Sequence, residues 1–330
     1  MKYSIILPVF NGGEYLKLCV KSILGQSFSD FNLLVLDSGS SDGSIEWIEG
    51  LNDDRIKIYP TEKRLTIEEN WTRIRSIPRN EFMTIIGHDD LFDKNYLQMM
   101  DELINRYPDA SLYQSHFRFI DAAGSIMRKC KAMNEKISPA ELLKHFLNSS
   151  IDTMGTGFIM RSNDFDEVGG MPNYPKLLFA DMELWQRLTD KNYLAVEQAE
   201  LFSYRRHSGA TTASTDISVI IQALEKFIDY LSRLSSTDQK YAELIRNEGN
   251  TLLKQYCQGL SHKLLRTPVT QRNNLTVARV IDEFRKLGKK LNTKHAFEPL
   301  DHFKIKLGKI IDSSAFLQSA YLSFRSLLKK

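Results

Sequence analysis

The chain has 330 residues, 42% hydrophobic and 26% charged, which is ordinary for a soluble globular protein of about two domains. It shows no signal peptide, no apolar stretch near the roughly 18 residues of a membrane span, and no metal or redox spacing among its three cysteines, so we expect a cytoplasmic protein. The net charge is +3, but residues 261–330 hold 15 Lys and Arg against 5 Asp and Glu, a net of +10 that leaves −7 on the first 260 residues.

The first part of the chain alternates strand and helix patterns. Short apolar runs predict buried strands at residues 3–9, 33–36, 55–59 and 82–86. Apolar residues at helical spacing follow the first strand, and a short helix is expected at residues 44–51. Strands separated by helices indicate crossover units, so the predicted fold class is α/β with a mainly parallel central sheet flanked by helices.

The pattern loosens after Asp90 but still alternates. We expect a helix at residues 96–106, strands at 111–120 and 156–161, and a helix that Asp181 opens. The segment Ser138-Pro139-Ala140-Glu141 has the residues of a helix start, with a Ser cap and Pro in the first turn.

The last third of the chain is helical in period, with no convincing strand. We place a boundary in the Ser- and Thr-rich loop 207–216, which gives a domain at 1–216 and a helical, basic domain at 217–330. Its last helix has one apolar stripe, formed by Leu317, Ala320, Tyr321, Phe324 and Leu328. The basic helices suggest contact with an anionic membrane surface; the alternative is a solvated face on a domain that forms homo-oligomers. No nucleic-acid-binding motif accompanies the charge, so nucleic acid is not expected.

Asp89 and Asp90 directly follow the strand at residues 82–86. Ligands bind at the carboxyl ends of strands in open α/β sheets, and adjacent carboxylates repel unless a cation or shared proton relieves them. Hard oxygen ligands suit Mg²⁺ or Mn²⁺, which often bridge to substrate phosphates. The alternative is a turn at the end of the strand followed by a helix cap.

Several segments together resemble family 2 glycosyltransferases, which have the nucleotide-sugar-binding fold called GT-A. The matching segments are residues 5–16, 22–28, 34–44, 88–90, 180–188 and 204–207. The resemblance covers residues 1–215 and implies a GT-A, Rossmann-like domain that transfers a sugar from a nucleotide-sugar donor.

The resemblance implies that the first two strand ends hold the donor nucleotide. Those positions are Pro8, Phe10, Asn11, Glu14, Asp37 and Ser38. Ser38 stands where relatives often have a second Asp, which in some of them binds the uracil; with Ser38 in that role, UDP is the expected nucleotide. The alternatives are turn chemistry at the first strand and an Asx turn at Asp37. Arg64 lies in a stretch that relatives use on the donor.

The resemblance also implies a divalent metal, Mn²⁺ or Mg²⁺. The metal ligand of the family's DxD motif aligns with Asp89, while Gly87 replaces the first Asp. His207 matches a position that completes the metal site or contacts the diphosphate in several relatives. His88 faces either the donor sugar or the surroundings of the metal, and Asp90 either caps the next helix or supports the site.

Asp181 matches the family's general base, which removes the proton of the acceptor hydroxyl as the new bond forms. The alternative for an Asp at a helix start is an N-cap. Arg205 and Arg206 are expected to bind the diphosphate.

The resulting hypothesis is inverting transfer to a glycan or lipid-linked saccharide in bacterial surface polysaccharide or lipooligosaccharide synthesis. The rival hypothesis is a non-catalytic scaffold subunit that binds a nucleotide or glycan, favoured by Gly87 and Ala180, where relatives often carry carboxylates. A nucleotidyltransferase is a weaker alternative, because no Gly-rich basic loop follows the first strand.

Overall fold

The computed structural model describes residues 1–207, 209 and 215–327. The chain divides into two compact units: Met1–Leu143 with Ser150–Ser214, and Lys144–Ser149 with Thr215–Lys330. Most of the loop 207–216, in which the sequence places a domain boundary, lies outside the described residues.

A ten-stranded sheet forms the first unit. Its strands are β1 (Tyr3–Val9), β2 (Phe31–Asp37), β3 (Ile56–Tyr59), β4 (Phe82–Ile85), β5 (Leu91–Phe92), β6 (Leu112–Ile120), β7 (Ile126–Lys129), β8 (Lys136–Ile137), β9 (Phe158–Arg161) and β10 (Leu194–Arg205). The order is β3-β2-β1-β4-β9-β6-β10-β5, with β7 paired to β6 and β8 to β10.

Strands β1 to β4 form the parallel half of the sheet. Both β1 and β2 are buried along their whole length, which is why each is a continuous apolar run instead of an alternating one. Val9 pairs with Asp37, so β1 and β2 end side by side. The carboxyl ends of β1, β2 and β4 therefore meet at one edge of the sheet.

Pairing is mixed beyond β4. Strand β9 is antiparallel to β4 and β6, whereas β10 is parallel to β6. The sequence pattern does not predict β10, because a register shift between Glu197 and Phe202 interrupts its apolar run with polar residues. The predicted α/β class with a central sheet is confirmed, and the parallel pairs are β1 to β4 and β6 with β10.

Helices lie between the strands, largely where apolar spacing predicts them. They are α1 (Gly13–Leu24), α2 (Ser44–Glu49), α3 (Ile67–Thr72), α4 (Tyr96–Arg106), α5 (Pro139–Asn148), α6 (Ser162–Glu167) and α7 (Ala180–Thr189), with 3-10 turns at Arg73–Ser76 and Pro175–Leu177. Residues 144–148 of α5 belong to the second unit. Helix α3, which the sequence analysis does not predict, begins with a capping box in which Thr66 and Glu69 bind each other's backbone amides.

The second unit is helical throughout its described residues. It contains α8 (Ile217–Leu234), α9 (Gln239–Arg266), α10 (Val277–Leu291), α11 (Phe303–Asp312) and α12 (Ala315–Leu327), with 3-10 turns at Val269–Gln271 and Pro299–Asp301. Helices α8, α9 and α10 bury their apolar faces against one another, with Phe227, Leu252 and Phe284 in the core. Among the described residues, no helix is long and apolar enough to cross a membrane.

Gly157 provides a test of the packing next to β9. Its φ of +76° and an added Cβ at 2.8 Å from the buried Phe202 ring both oppose any side chain. We expect Gly157→Ala to lower the free energy of unfolding by roughly 2–4 kcal/mol, measured by urea denaturation. The control Gly50→Ala has a φ of −65° and contacts no closer than 3.4 Å, so it should change stability by less than about 1 kcal/mol. Equal urea midpoints for the two variants would contradict this packing.

Candidate functional site

The ends of β1 and β2 are tied together by side chains that the sequence assigns to the donor. The Asp37 carboxylate accepts the amides of Gly39, at 3.1 Å, and Ser40, at 3.0 Å, so it forms the Asx turn that was the alternative prediction. The Ser38 hydroxyl donates to the Val9 carbonyl at 2.9 Å. These two buried residues therefore shape the edge of the sheet, and each keeps oxygen lone pairs for a ligand.

Asn11 fixes the turn after β1. It has a φ of +48°, its side-chain oxygen accepts the Ser41 amide at 2.9 Å, and its own amide donates to Ser40 Oγ at 3.0 Å. Pro8 is buried within β1, whereas the Glu14 side chain is 81% exposed and pairs with Lys17. The structure thus joins Asn11 to the β2 turn and leaves Glu14 accessible on α1.

Phe10 and Arg64 form a stacked pair beside this turn. The Arg64 guanidinium lies 4.3 Å from the centre of the Phe10 ring. The Arg64 backbone passes so close to Gly39 that an added Cβ would lie 3.2 Å from its nitrogen. The structure therefore brings Arg64, from the loop after β3, to the predicted donor residues.

Asn70 and Arg73 support the same edge, although the sequence analysis gives Arg73 no role. Asn70 is buried and donates to the Leu36 carbonyl at 2.8 Å. Arg73 donates to the carbonyls of Asp37, at 2.8 Å, and Tyr59, at 2.7 Å. An Arg that binds two strand ends through backbone carbonyls leaves no motif in the sequence, so only the fold reveals it.

Asp89 and His207 meet at the end of β4 and β10. Their side chains are partly exposed, and Oδ2 of Asp89 lies 2.8 Å from Nε2 of His207. His88 lies against the β1 turn, since a Cβ on Gly12 would be 3.3 Å from its ring. The two predicted metal ligands are therefore adjacent although they are far apart in sequence.

Asp90 is buried directly behind this pair. Its oxygens accept the Thr156 hydroxyl at 3.0 Å and the Arg205 amide at 2.9 Å. Burial, together with the charge of Asp89, raises the pKa of Asp90 well above its ordinary value. Asp90 does not cap the next helix, because β5 intervenes and Asn95 is the N-cap of α4. It supports the site instead.

The position of Arg205 does not agree with the prediction that it binds the diphosphate. Arg205 is 2% exposed, and its guanidinium donates to the backbone carbonyls of Asp89, at 2.8 Å, and Asp121, at 3.1 Å. Its donors are therefore used to hold the chain in place. Arg206, the neighbour predicted with it, is exposed and remains accessible to an anionic ligand.

Tyr15 contacts two of these residues, although the sequence analysis gives it no role of its own. Its ring lies 5.2 Å from the His207 ring and 4.7 Å from the Arg205 guanidinium. Its hydroxyl donates to the Ala122 carbonyl at 3.2 Å. The only signal is its place in the first motif, two residues after Gly13.

Asp181 lies in the first turn of α7, half-buried. Burial raises the pKa of its carboxyl group to about 6. The carboxylate also accepts a hydrogen bond from the Met182 amide at 2.9 Å, which lowers the pKa but by less than burial raises it. Gly155 lies against it, since a Cβ there would be 3.7 Å from Asp181 Oδ2. The carboxylate therefore sits where burial makes it more basic than an ordinary aspartate.

Two consecutive residues connect Asp181 to the Asp89 cluster. Gly155 touches Asp181, and the next residue, Thr156, binds Asp90. Since consecutive Cα atoms are about 3.8 Å apart, both groups lie beside the same short stretch of chain. Asp181 and Asp90 thus lie beside the same two residues of the first unit.

The segment before α7 is held in an unusual backbone conformation. Lys176, Leu177 and Phe179 all have positive φ, which is costly for residues other than glycine. The Lys176 amide donates to Glu68 at 2.7 Å, and Tyr174 hydrogen bonds to Glu183. These contacts fix the start of α7 and with it the position of Asp181.

The donor chemistry of Asp89 and His207 fits a divalent cation. The Asp89 carboxylate is the kind of oxygen ligand that suits Mn²⁺ or Mg²⁺, and His207, hydrogen bonded to it at 2.8 Å, would add an imidazole nitrogen. Within the described part of the chain, no group of three or more His, Cys, Asp or Glu side chains is placed to hold a metal. Two protein ligands with substrate phosphates and water completing the shell are usual for such ions.

Comparison with known sequences agrees with the motifs. The family model of glycosyl transferase family 2 matches residues 4–169. Glycosyltransferase GlyG of Streptococcus pneumoniae is 22% identical over 275 residues, which cover 79% of this chain and 90% of that protein. The minor teichoic acid biosynthesis protein GgaA of Bacillus subtilis is 31% identical over 103 residues, or 29% of this chain and 23% of that protein. The match to an uncharacterized glycosyltransferase of Rickettsia conorii covers 34% of the length of that protein.

Solved structures show the same fold. Staphylococcus aureus TarS 1-349 in complex with UDP-GlcNAc aligns with a TM-score of 0.61 at 16% identity, covering 99% of this chain and 92% of that one. The mannosyltransferase PcManGT of Pyrobaculum calidifontis, in complex with GDP-Man and Mn²⁺, aligns with a TM-score of 0.50 at 10% identity, covering 97% and 86%. The predicted GT-A fold is therefore confirmed.

Thr156 tests the support of the buried carboxylate. Thr156→Val removes the hydroxyl that donates to Asp90, so a buried acceptor loses its partner, and we expect a loss of about 1–3 kcal/mol in the free energy of unfolding. Thr156→Ser keeps the hydroxyl and should lose less than about half of that. Urea denaturation of both variants measures the difference. Valine and serine variants of equal stability would show that the hydrogen bond contributes nothing.

Proposed function

We infer a function for this chain from its family: it belongs to glycosyl transferase family 2, whose model matches half of its length. The chain is a glycosyltransferase. We propose that it moves a sugar from a nucleoside-diphosphate donor, UDP in the first instance, to a hydroxyl of a glycan acceptor with inversion at the anomeric carbon.

One observation carries this proposal. Gly155 lies beside Asp181, a carboxylate of raised pKa, and the next residue, Thr156, binds Asp90, the neighbour of Asp89 in the Asp89–His207 pair. Inverting transfer requires a base on the acceptor side and a positive charge near the departing diphosphate. A site with both kinds of group at one sheet edge favours a catalyst over a scaffold that merely holds its ligand.

Asp181 acts as the base in this proposal. With a pKa of about 6, it is mostly ionised at neutral pH and yet basic enough to take a proton from a sugar hydroxyl. Half-burial beside Gly155 keeps bulk water from solvating the carboxylate fully. The strained segment at Lys176 and Phe179 holds it in position, since base catalysis depends on its reach to the hydroxyl.

Phe10, Arg64 and the turn at Asp37 and Ser38 bind the nucleoside. The stacked Phe10 and Arg64 side chains offer a flat surface to a base, and the oxygens of Asp37 and Ser38 accept its N–H or ribose O–H groups. UDP is favoured because TarS, which shares the fold, was solved with UDP-GlcNAc and with UDP.

Asp89 and His207 would hold the divalent ion, and Arg206 would contact the diphosphate. A bound Mn²⁺ or Mg²⁺ supplies Lewis-acid stabilisation of charge on the leaving diphosphate. The protein fixes both ligands from behind: Arg205 holds the Asp89 carbonyl at 2.8 Å, and Tyr15 packs on the His207 ring. This support keeps the ligand pair together without a substrate.

The acceptor is proposed to be a surface polymer or its lipid-linked precursor. The support is the relationship to GgaA, which is named for teichoic acid biosynthesis. The site is formed by strand ends and loops, so an acceptor chain can extend into solvent past exposed residues such as Arg206.

Asp181→Asn removes the base and should lower kcat by about 10²–10⁴-fold while leaving the dissociation constant for UDP-sugar unchanged. The measurement is donor turnover together with calorimetric binding, after a screen of UDP-sugars with Mn²⁺ identifies the donor. Asp54→Asn, on the exposed turn before β3, is the matched control and should behave as the wild type. Wild-type turnover of Asp181→Asn would rule out this assignment.

The raised pKa of Asp181 sets the pH dependence of the reaction. A base must be unprotonated, so kcat/KM should fall tenfold per pH unit below about 6 and level off above it. The pH profile of the wild type measures this. An acid limb near pH 4, the value of an ordinary aspartate, would contradict the role of burial.

Asp89→Ala removes a ligand of the cation. We expect Mn²⁺ to strengthen UDP binding to the wild type at least tenfold and to have no such effect on the variant, because phosphate bridging needs the bound ion. Calorimetry with Mn²⁺ and with EDTA checks this. Asp54→Ala serves as the control, and a Mn²⁺ effect that survives in Asp89→Ala would disprove the assignment.

A further inference from the structure

Exposed apolar side chains are concentrated in the last two described helices of the second unit. Large hydrophobic residues are exposed at eleven described positions, and six of them lie within residues 303–322. Phe303 is 75% exposed and Phe316 is 79% exposed. Scattered exposed apolar residues need no explanation, whereas a contiguous set marks an interaction surface.

Contacts with the rest of the second unit fix which face of α11 is buried and which is exposed. Ile305 is fully buried, and Gly308 faces α9, where a Cβ would lie 3.7 Å from Leu265. At the end of α11, Asp312 forms a buried ion pair with Arg272 at 2.6 Å and accepts the Val277 amide at 2.7 Å. These contacts fix the rotation of the helix about its axis.

The opposite face of α11 is apolar. Phe303, Leu307 and Ile310 are spaced i, i+4 and i+7, so they form one stripe, and all three are exposed. Phe316, Leu317 and Leu322 are further exposed apolar residues on α12. A helix on the surface of a soluble protein normally packs its apolar stripe against the protein core. In α11 the residue that packs against the core is Ile305, on the opposite face from the stripe.

The exposed charges on α11 itself are all basic, and the exposed Asp301 lies two residues before Phe303. Lys304, Lys306 and Lys309 are exposed on α11, and its one acidic residue, Asp312, is buried with Arg272. A helix with an apolar stripe bordered by lysines is the pattern of helices that lie in a membrane interface. The lysines attract anionic headgroups while the stripe enters the boundary of the acyl chains.

We propose that α11, with the start of α12, docks the chain on an anionic lipid surface. A second copy of the chain fits less well, because a two-fold contact through this stripe would bring the lysines of both copies together without exposed carboxylates on α11 to offset them. The contact lies in the plane of the interface and does not cross the bilayer. It is independent of the transferase chemistry.

The experiment uses the full chain and sedimentation with vesicles of equal parts phosphatidylcholine and phosphatidylglycerol, and with pure phosphatidylcholine. The wild type should bind the anionic vesicles and lose binding as salt rises. Lys304→Gln, Lys306→Gln and Lys309→Gln together should weaken binding about 100-fold, since each basic residue near the surface contributes about fivefold. The same three changes at the exposed Lys240, Lys289 and Lys294 are the charge-matched control and should weaken binding far less.

The stripe is tested separately by Phe303→Ser with Leu307→Ser and Ile310→Ser. Because all three side chains are exposed, the melting temperature should not fall, whereas vesicle binding should drop at least tenfold. Failure of the wild type to bind anionic vesicles would overturn the proposal. So would a dimer of the wild type, seen by sedimentation equilibrium, that the Ser variant loses, since the stripe would then be covered by a second copy. Donor turnover is measured alongside and should be unchanged in every variant.

Discussion

The buried carboxylate of Asp90 holds the site of the first unit together. It follows β4, accepts the hydroxyl of Thr156 ahead of β9, and accepts the amide of Arg205 at the end of β10. A buried carboxyl group requires hydrogen-bond donors. The bonds to Asp90 therefore hold three segments together: the end of β4, the residues before β9 and the end of β10. Arg205 extends the connection, since its guanidinium holds the carbonyls of Asp89 and Asp121. The backbone positions after β4 and at the end of β10 therefore follow from this buried carboxyl group.

Four aspartates of the first unit have different surroundings. Asp37 folds back on the amides of its own turn, and Asp90 binds donors from distant strands. Asp89 keeps a partly exposed carboxylate beside His207, open to a cation. Asp181 is half-buried with one amide donor, so its pKa rises to about 6. Desolvation and the number of hydrogen-bond donors therefore give different properties to carboxylates that look alike in sequence.

The second unit presents a different kind of surface. Its core is closed by α8, α9 and α10, and a buried ion pair of Arg272 with Asp312 secures α11 against it. Breaking such a pair leaves an uncompensated buried charge, so α11 is held in one orientation. Because α11 is held in this orientation, its apolar stripe faces solvent. The proposed chemistry at the sheet and the proposed lipid contact of α11 thus belong to separate units of the chain.

Local sequence was enough for the elements whose periodicity is undisturbed and for residues inside short motifs. The apolar runs of β1 and β4 and the helical spacing of α4 predict these elements because neighbours in the chain determine them. The strand β10 was hidden by its register shift, and Tyr15, Thr156 and Arg73 have roles set by partners remote in sequence. Likewise, Leu317 and Ala320, two members of the apolar stripe predicted on the last helix, are exposed, while the side chains of Phe324 and Leu328 lie outside the described residues. Periodicity gives the faces of a helix, but burial and hydrogen-bond partners depend on packing between distant segments, which no local pattern encodes.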